Sequence, residues 1–506
     1  MTVPRYAPPH PASRPCLQLV SSHSRRAAPG DGGPRPSLVA AIDDLPELTG
    51  DVFVAALARE TAAGTRVLAY HARRDDDRGV VLTAALVRPR GLAVMRGRAV
   101  PDRPLPALSG PLGAHERLLE RTYGLQLAAP PSREESTDPR DMWFWPADKH
   151  LGPGDRDASF GGLVEHGPLR LHCRGDQIRV AELRPLAERD FESALGTQPF
   201  AELPARIEAL RDEGSIARAW AHALAIEGLA GVEVDLACSV HRGVGLELER
   251  IAGHLLGLAR IARAIGCGPA ASELERLHAR VRDLLVRLCG DPHGHGFIRP
   301  GGAPEPFNAS RIADVRATLA ALRDAFARTG AGLLRARSVQ ARLDGVGGLS
   351  RRDAALAGLV GPAARASGLA HDLRRDLPGR LYRRHEVELF VEHDGDCLAR
   401  TSVRVHEVEA ALAWILGCVA GAAAARTSGI APLAARHLAI AAVEGARGPI
   451  VHLLETDATG QLIDYRAQDP AMFAWPALAT AVRGGSLADV PLCGHSLDLS
   501  LGGPAC

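Results

Sequence analysis

Little in this chain is aromatic: Phe, Trp and Tyr make up 4% of its 506 residues. Its nine cysteines are scattered, at Cys16, Cys173, Cys238, Cys267, Cys289, Cys397, Cys418, Cys493 and Cys506, and none forms a C-x-x-C pair. That spacing excludes a disulfide framework and the common zinc motifs, and leaves buried reduced thiols as the expectation. An excess of one charge is also missing, with Lys+Arg 60 against Asp+Glu 59. A dedicated nucleic-acid binder would show a basic surplus, so no nucleic acid is expected as a partner. No apolar run reaches the ~20 residues of a membrane span. The most apolar stretch, Ala410–Ala425, is Ala-rich, follows Glu407 and Glu409, and reads as a buried helix. The leading segment, 1–37, is rich in Pro, Arg, Ser and His, lacks the apolar stretch of a secretory signal, and reads as a disordered tail. There is no nucleotide-binding glycine loop and no internal repeat.

What is present is enough apolar residue, 46%, for a substantial core. The length allows two to four domains of ordinary size. Residues 38–150 read as a small α/β unit. Val67–Tyr70 and Val80–Val87 are its strands, Glu116–Tyr123 a short helix ended by Gly124, and Ser132–Arg140 a polar loop before Trp143-Phe144-Trp145. A Gly/Asp-rich linker follows at 151–160. From 161 to 506 a β-hairpin at His166–Ile178 precedes a mainly helical region. Apolar residues step by three and four through Val244–Ile265, Leu274–Leu288, Ile312–Thr329 and Val408–Ala425, which predicts four amphipathic helices. Strands are expected at Val387–Val391, Thr401–Val405, Ile450–Leu453 and Ile463–Tyr465, the last two around a turn near Gly460. The fold class is therefore α+β: a helical bundle with flanking small β units.

Several segments then recur in one order. Leu246-Glu247-Leu248-Glu249-Arg250-Ile251-Ala252-Gly253-His254-Leu255 comes first, and Phe297-Ile298-Arg299-Pro300-Gly301-Gly302 second. Third is the run 358–374, with Gly358, Gly361-Pro362, Arg365, Ser367-Gly368 and Asp372-Leu373-Arg374 at set offsets. Gly395-Asp396, Arg400, Arg404 and Glu407 follow, then Glu444, Arg447 and Gly448. These segments resemble the large subunit of nickel–iron hydrogenases and its relative, the quinone-site subunit of respiratory complex I. The resemblance spans roughly 160–506. The helix 116–125 is similar to a pattern in the small α/β subunit of complex I. A fusion of the two units resembles group 4, formate-hydrogenlyase-type hydrogenases.

The resemblance implies chemistry as well as fold. The hydrogenase metal needs four soft thiolates. Its early pair matches Ser215 and Arg218, beside Ala221-His222-Ala223, and its late pair matches Ser500 and Gly503. The thiolates are gone, so no nickel–iron centre is expected. In the complex I relatives a histidine and a tyrosine hydrogen-bond a quinone. The histidine matches His166, which is otherwise a turn residue, and the tyrosine position falls near Asp212. Arg447 matches the arginine held over the metal in hydrogenases and a structural arginine in complex I. Arg189 matches an arginine beside the terminal iron–sulfur cluster, and Arg299 organises its own turn. His293 and His295 flank a glycine and read as a loop or as two ligands of a metal.

Two readings stay open. In one, the chain passes electrons from a [4Fe–4S] cluster in a small partner subunit to a quinone or another acceptor, using His166, Asp212, His222 and Arg447. In the other it is a scaffold or coupling subunit. Either way the resemblance implies an iron–sulfur small subunit and membrane antiporter-like subunits as partners. It also implies a cytoplasmic place, peripheral on the inner face of the membrane.

Overall fold

A computed structural model describes the short strand Val20–Ser21 and most of residues 34–499. Outside the described residues lie 1–19, 22–33, 76–78, much of 101–122, 129–155, 161–168, 184–191, 196–198, 212, 420–426 and 500–506. The expected helix Glu116–Tyr123, the loop Ser132–Arg140 and the cluster Trp143–Trp145 fall largely or wholly there.

The first β layer contains β1 (Val20–Ser21), then β2 (Ser37–Ala41) departs to another sheet, and β3 (Glu47–Thr49) leads into helix α1 (Gly50–Ala62). Strands β4 (Val67–Arg74), β5 (Val80–Arg88) and β6 (Gly91–Ala99) follow as an antiparallel meander, with β1 and β3 on the edge of β6. Strand β5 reads as a continuous apolar run because both its faces are covered. Val80, Leu82, Ala84 and Leu86 pack under Phe53, Val54 and Leu57 of α1, while Ala85 faces the opposite side. Gly97 is required beneath α1, since a Cβ there would lie 2.6 Å from the Phe53 side chain.

A three-stranded sheet comes next: β7 (Arg156–Phe160), β8 (Leu169–Arg174) and β9 (Gln177–Leu183). The second half of the expected linker is thus a strand, its backbone groups taken up by β8 from Phe160↔Leu169 to Arg156↔Cys173. The hairpin expected to begin at His166 is seen from Leu169 onward. Then come β10 (Glu192–Ala194), α2 (Leu203–Glu208) and α3 (Ser215–Ala230). The long helices α4 (Leu236–Ala264), α5 (Gly268–Cys289) and α6 (Ala309–Arg335) form a bundle. Asp235 caps α4 through the Cys238 N–H at 2.7 Å, and Asn308 caps α6. Short helices α7 (Arg337–Leu343), α8 (Arg351–Leu356), α9 (Gly361–Ala366), α10 (Leu373–Asp376) and α11 (Gly379–Arg384) wind to α12 (Cys397–Val419), the fourth bundle member. The chain ends with β11 (His437–Gly445), β12 (Gly448–Thr456), β13 (Leu462–Gln468), α13 (Ala471–Ala481) and α14 (Val490–Ser496).

Two of the expected strands are not strands. Thr401–Val405 lies inside α12, and Val387–Val391 belongs to no helix or sheet. The reason is physical. The buried face of α12 includes Arg400, Arg404 and Glu407 alongside Val403 and Val408, so charge interrupts the apolar period that marks a helix. The remaining long helices match their apolar spacing, extended at one or both ends by polar caps.

The last sheet has the order β10-β13-β12-β11-β2. Residues 37–41, near the chain's start, therefore pair with β11 from His437↔Ala41 to Ala441↔Ser37. One face of this sheet takes α3. The other packs against the first layer through Leu68, Ala69, Leu92 and Val94 on one side and Leu438, Ile440, Val451 and Leu453 on the other. Polar ties cross the same seam: Arg96 and Arg73 reach Glu455 at 2.8 and 3.0 Å. Among the described residues, no helix is long and apolar enough to cross a membrane.

Candidate functional site

The recurring segments meet in the interior as a network of ions. Arg365 of α9 donates to Glu407 of α12 at 2.7 Å and to Glu444 of β11 at 3.3 Å. Glu407 also meets His254 Nε2 of α4 at 2.8 Å. Arg374 binds Asp372 at 2.7 Å and Glu247 at 3.0 Å, and Tyr382 donates to Glu247 at 3.2 Å. Arg250 holds Glu247 at 3.0 Å and donates to the backbone carbonyls of Glu444 and Gly445 at 2.6 and 2.9 Å. These side chains are almost wholly inaccessible. A charge buried this deeply is tolerated only when each one is matched and hydrogen-bonded. Burial alone would raise the Glu407 carboxyl, but the Arg365 guanidinium and His254 hold it well below the usual range. Glu444 goes the other way: burial, then the nearby Asp372, push it up to about 7.

A second buried pair shapes the Arg-Pro-Gly-Gly turn. Arg242 binds Glu227 at 2.6 and 3.0 Å and donates to the Arg299 carbonyl at 3.0 Å, while Glu227 accepts the Gly301 N–H at 2.7 Å. Gly301 has φ +84°, and a Cβ on it would lie 2.2 Å from the Ser428 carbonyl oxygen, so only glycine fits. Arg299 itself reaches Glu208 at 2.6 Å.

Beside the ion network lies a cavity of about 40 Å³. Its walls include Glu213, Arg218, His254, Arg447, Asp469 and Asp498. Arg447 enters from the β11–β12 turn and pairs with Glu213; Arg260 approaches the same carboxylate at 3.5 Å. Asp498 accepts from Arg404 at 2.7 Å. Burial opposes ionisation of Glu213, but Arg447 and Arg260 outweigh it and hold the carboxyl down to about 2. Burial likewise opposes the charge on Arg447, and Glu213, Asp469 and Asp498 overcome it. The cavity therefore stays charged on both signs, with room for a few waters. A second, wider cleft of about 590 Å³ opens between α3, α4, α11 and β2, with Trp220, Tyr382 and Arg374 on its walls.

Of the residues expected at a site, Arg447 lies in the cavity. His222 does not line it. Its Nδ1 meets the Tyr465 hydroxyl at 2.7 Å, and His452 Nδ1 meets the same hydroxyl at 2.8 Å. One hydroxyl carries one proton, so one imidazole accepts it and the other donates. Burial, with Arg299 adding, lowers His222 to about 3, so the ring is neutral. His166, Asp212 and Arg189 lie outside the described residues. His293 and His295 sit in a turn whose N–H groups are held by Asp291 at 2.7 and 3.1 Å. Among the described residues, no group of three or more His, Cys, Asp or Glu is arranged to hold a metal ion. Sequence reasoning missed Glu213, Asp469, Tyr465 and His452, whose only signal is charge or polarity next to a glycine, a proline or a strand.

The residues at the early thiolate positions do not fit a nickel–iron centre. Ser215 hydrogen-bonds the His293 carbonyl, and Arg218 spends its guanidinium on the carbonyls of Ile207 at 3.1 Å and Glu213 at 3.0 Å. Ser215 ties the start of α3 to the turn at His293, Arg218 holds the loop before α3, and neither offers a soft ligand.

Comparison with known proteins accords with this arrangement. Residues 275–427 match the family described as respiratory-chain NADH dehydrogenase, 49 kDa subunit. A D-type subunit of the NADH-quinone oxidoreductase of Sinorhizobium medicae is 31% identical over 261 residues, 50% of this chain and 64% of that protein. The chain thus spans somewhat under two thirds of that relative's length. The corresponding NADH-quinone oxidoreductase subunit of Dehalococcoides mccartyi is 26% identical over 348 residues, covering 67% of this chain and 94% of its own. In fold, a chain from the membrane-bound sulfane sulfur reductase, an archaeal respiratory membrane complex, superposes with a TM-score of 0.63 at 24% identity, over 70% of this chain and 98% of that one. By motif and sequence, the chain resembles the 49 kDa subunit of respiratory-chain NADH dehydrogenases.

Proposed function

We propose that this chain is the large, peripheral subunit of a respiratory membrane complex, and that it helps pass electrons from an iron–sulfur cluster in a partner subunit to a quinone. The observation that carries the reading is the cavity at Arg447. Where the resemblance places a metal, the chain keeps a polar chamber rather than closing it with Ala and Leu. A ring does not fit in about 40 Å³, so the quinone would lie toward the partner, and the resemblance gives its hydrogen bonds to His166 and to the position near Asp212. Reducing a quinone consumes protons as well as electrons. The His254 ring, kept neutral by burial and so able to accept at one nitrogen and donate at the other, would relay those protons with the waters the chamber admits, while Glu213 stays ionised beside Arg447. Arg447 would fix the local potential. The partner cluster supplies electrons one at a time when bound.

The scaffold reading keeps one specific observation in its favour: Ser215 and Arg218 are used for structure. Electron paramagnetic resonance on the complex purified through this subunit separates the two. A reduced-cluster signal that added quinone removes, and that persists in His166→Ala, supports electron transfer through this chain. A signal indifferent to quinone in the unaltered complex would overturn it.

A further inference from the structure

One pair of nucleophilic side chains has no part in that function. Cys397 is the first residue of α12, and Cys493 lies midway along α14. Both are buried, at 0% and 1% exposed. Their sulfurs are neighbours, since both lie beside the one Cβ position of Gly347. They share a pocket with Gly347, where a Cβ would lie 2.7 Å from Cys493 Sγ and 3.5 Å from Cys397 Sγ. Glycine at that position, with φ +65°, leaves the space in which the two thiols face one another.

The surroundings of the two sulfurs differ. Cys397 is the first residue of its helix, where the Asp396 carboxylate takes the Ala399 N–H at 2.8 Å and the Val346 carbonyl takes the Cys397 N–H at 2.9 Å. Arg400 Nη2 lies 3.5 Å from its sulfur, and Ser496 Oγ lies 3.4 Å away. The hydrogen bond from Cys493, with Arg400 adding, holds the Cys397 thiol well below the ordinary range, against the cost of burial. Cys493, the donor, is held well above it. A low thiol beside a cation, next to a protonated thiol, is the arrangement of an attacking and a resolving cysteine.

We propose that Cys397 and Cys493 form a redox-active dithiol, which hydrogen peroxide converts to a disulfide tying α12 to α14. The Cys397 thiolate attacks one peroxide oxygen, and the O–O bond breaks. One oxygen stays on sulfur as a sulfenic acid, and the other leaves as hydroxide and is protonated to water. Cys493 then attacks that sulfur, the S–S bond forms, and the hydroxyl departs with the Cys493 proton as a second water. Two thiols lose two electrons in all, and the peroxide gains them.

The bond would act on the cavity wall. Helix α14 ends at Ser496, whose carbonyl accepts from Arg404 at 2.6 Å, and Asp498 just beyond binds Arg404 and lines the cavity. Cross-linking α12 to α14 fixes the strut that carries Asp498. The dithiol stands on its own geometry, so it can hold or fail independently of the electron-transfer reading.

The test is peroxide treatment of the reduced, folded full-length chain, followed by alkylation and peptide mapping without reductant. The expected product is one linked peptide pair, Cys397 to Cys493, lighter by two hydrogens. Cys418 is the internal control: it is buried, its thiol is pushed up to about 12, and it should remain alkylatable on unfolding. In Cys493→Ser, the Cys397 sulfenic acid should accumulate and be trapped by dimedone. In Cys397→Ser, oxidation of Cys493 should slow by roughly tenfold or more. A linked pair that forms only after denaturation, or Cys397 oxidising no faster than Cys418 in the unaltered chain, would overturn the proposal.

Discussion

Glu444 and Arg447 stand at the two sides of the turn from β11 to β12, yet they sit in opposite kinds of charged environment. Glu444 faces the ion network of Arg365, Glu407 and Asp372, whose side chains are almost fully inaccessible although Glu444 also borders the wide cleft. Arg447 faces a cavity, and its side chain and that of its partner Glu213 keep 20% and 22% of their exposure. The same residue types thus do different things a few ångströms apart. Where every charge is matched by a buried partner, it joins helices α4, α9 and α12 to β11. Where charge borders space and water, it can respond to a ligand or a proton. The recurring motifs in the sequence mark mostly the first kind.

The largest effect should come from breaking the network. Arg365→Met leaves Glu407, Asp372 and Glu444 without their shared partner, at a cost of about 3–5 kcal/mol in urea denaturation. A loss under about 1 kcal/mol would mean that the network is not the keystone of the interior.

Next is the contact that joins the two regions. Gly361 has φ +61°, and a Cβ there would lie 2.1 Å from the Arg447 carbonyl oxygen. Gly361→Ala should cost about 1–3 kcal/mol and displace the Arg447 turn. Hydrogen exchange at residues 446–449 reports the displacement, and unchanged exchange would separate the motif from the cavity.

The pH dependence of stability comes third. His222 titrates at 6.5 when unfolded and about 3 when folded. Between those values the unfolded chain binds the proton and the folded chain does not. Stability from this group is therefore full above about pH 6.5 and falls as the pH drops toward 3, by up to about 1.4 kcal/mol per unit. Between pH 6.5 and 5, His222→Gln should lose about 2 kcal/mol less than the unaltered chain. His452 shifts in the same direction and should keep part of the slope in the variant. Parallel curves for the two proteins would show that His222 is not held neutral.

The smallest effect on folding belongs to the cavity. Arg447→Gln removes a partly exposed ion pair and should cost about 1 kcal/mol or less. If the proposed function holds, quinone-dependent reoxidation of the partner cluster should slow by roughly tenfold or more. A large loss of stability with normal reoxidation would move Arg447 into the structural class of Arg365.

Much of this was legible in the chain. The bundle helices followed from apolar residues spaced by three and four, because one face of each must be buried. The ordered motifs pointed to the family, and the resemblance set Ser215 and Arg218 where a nickel–iron centre would need thiolates. The first part of α12 was not legible, since Arg400, Arg404 and Glu407 occupy its buried face and imitate a polar one. Nor was the pairing of β2 with β11, which joins residues near opposite ends of the chain. Asp469 and Glu213 carried no motif, because a cavity wall gathers single residues from separate elements.

The sequence by itself determined the apolar faces of the long bundle helices, the glycine turn after Pro300, and which residues stand where the resemblance would put metal ligands. These depend on local periodicity, on the conformational range of single residues, and on residue identity. Only the tertiary structure decided that Glu444 meets Arg365, that His222 turns to Tyr465 rather than to Arg447, and that Cys397 faces Cys493. A buried polar group takes its role from partners distant in sequence, and burial makes the choice of partner worth several kcal/mol.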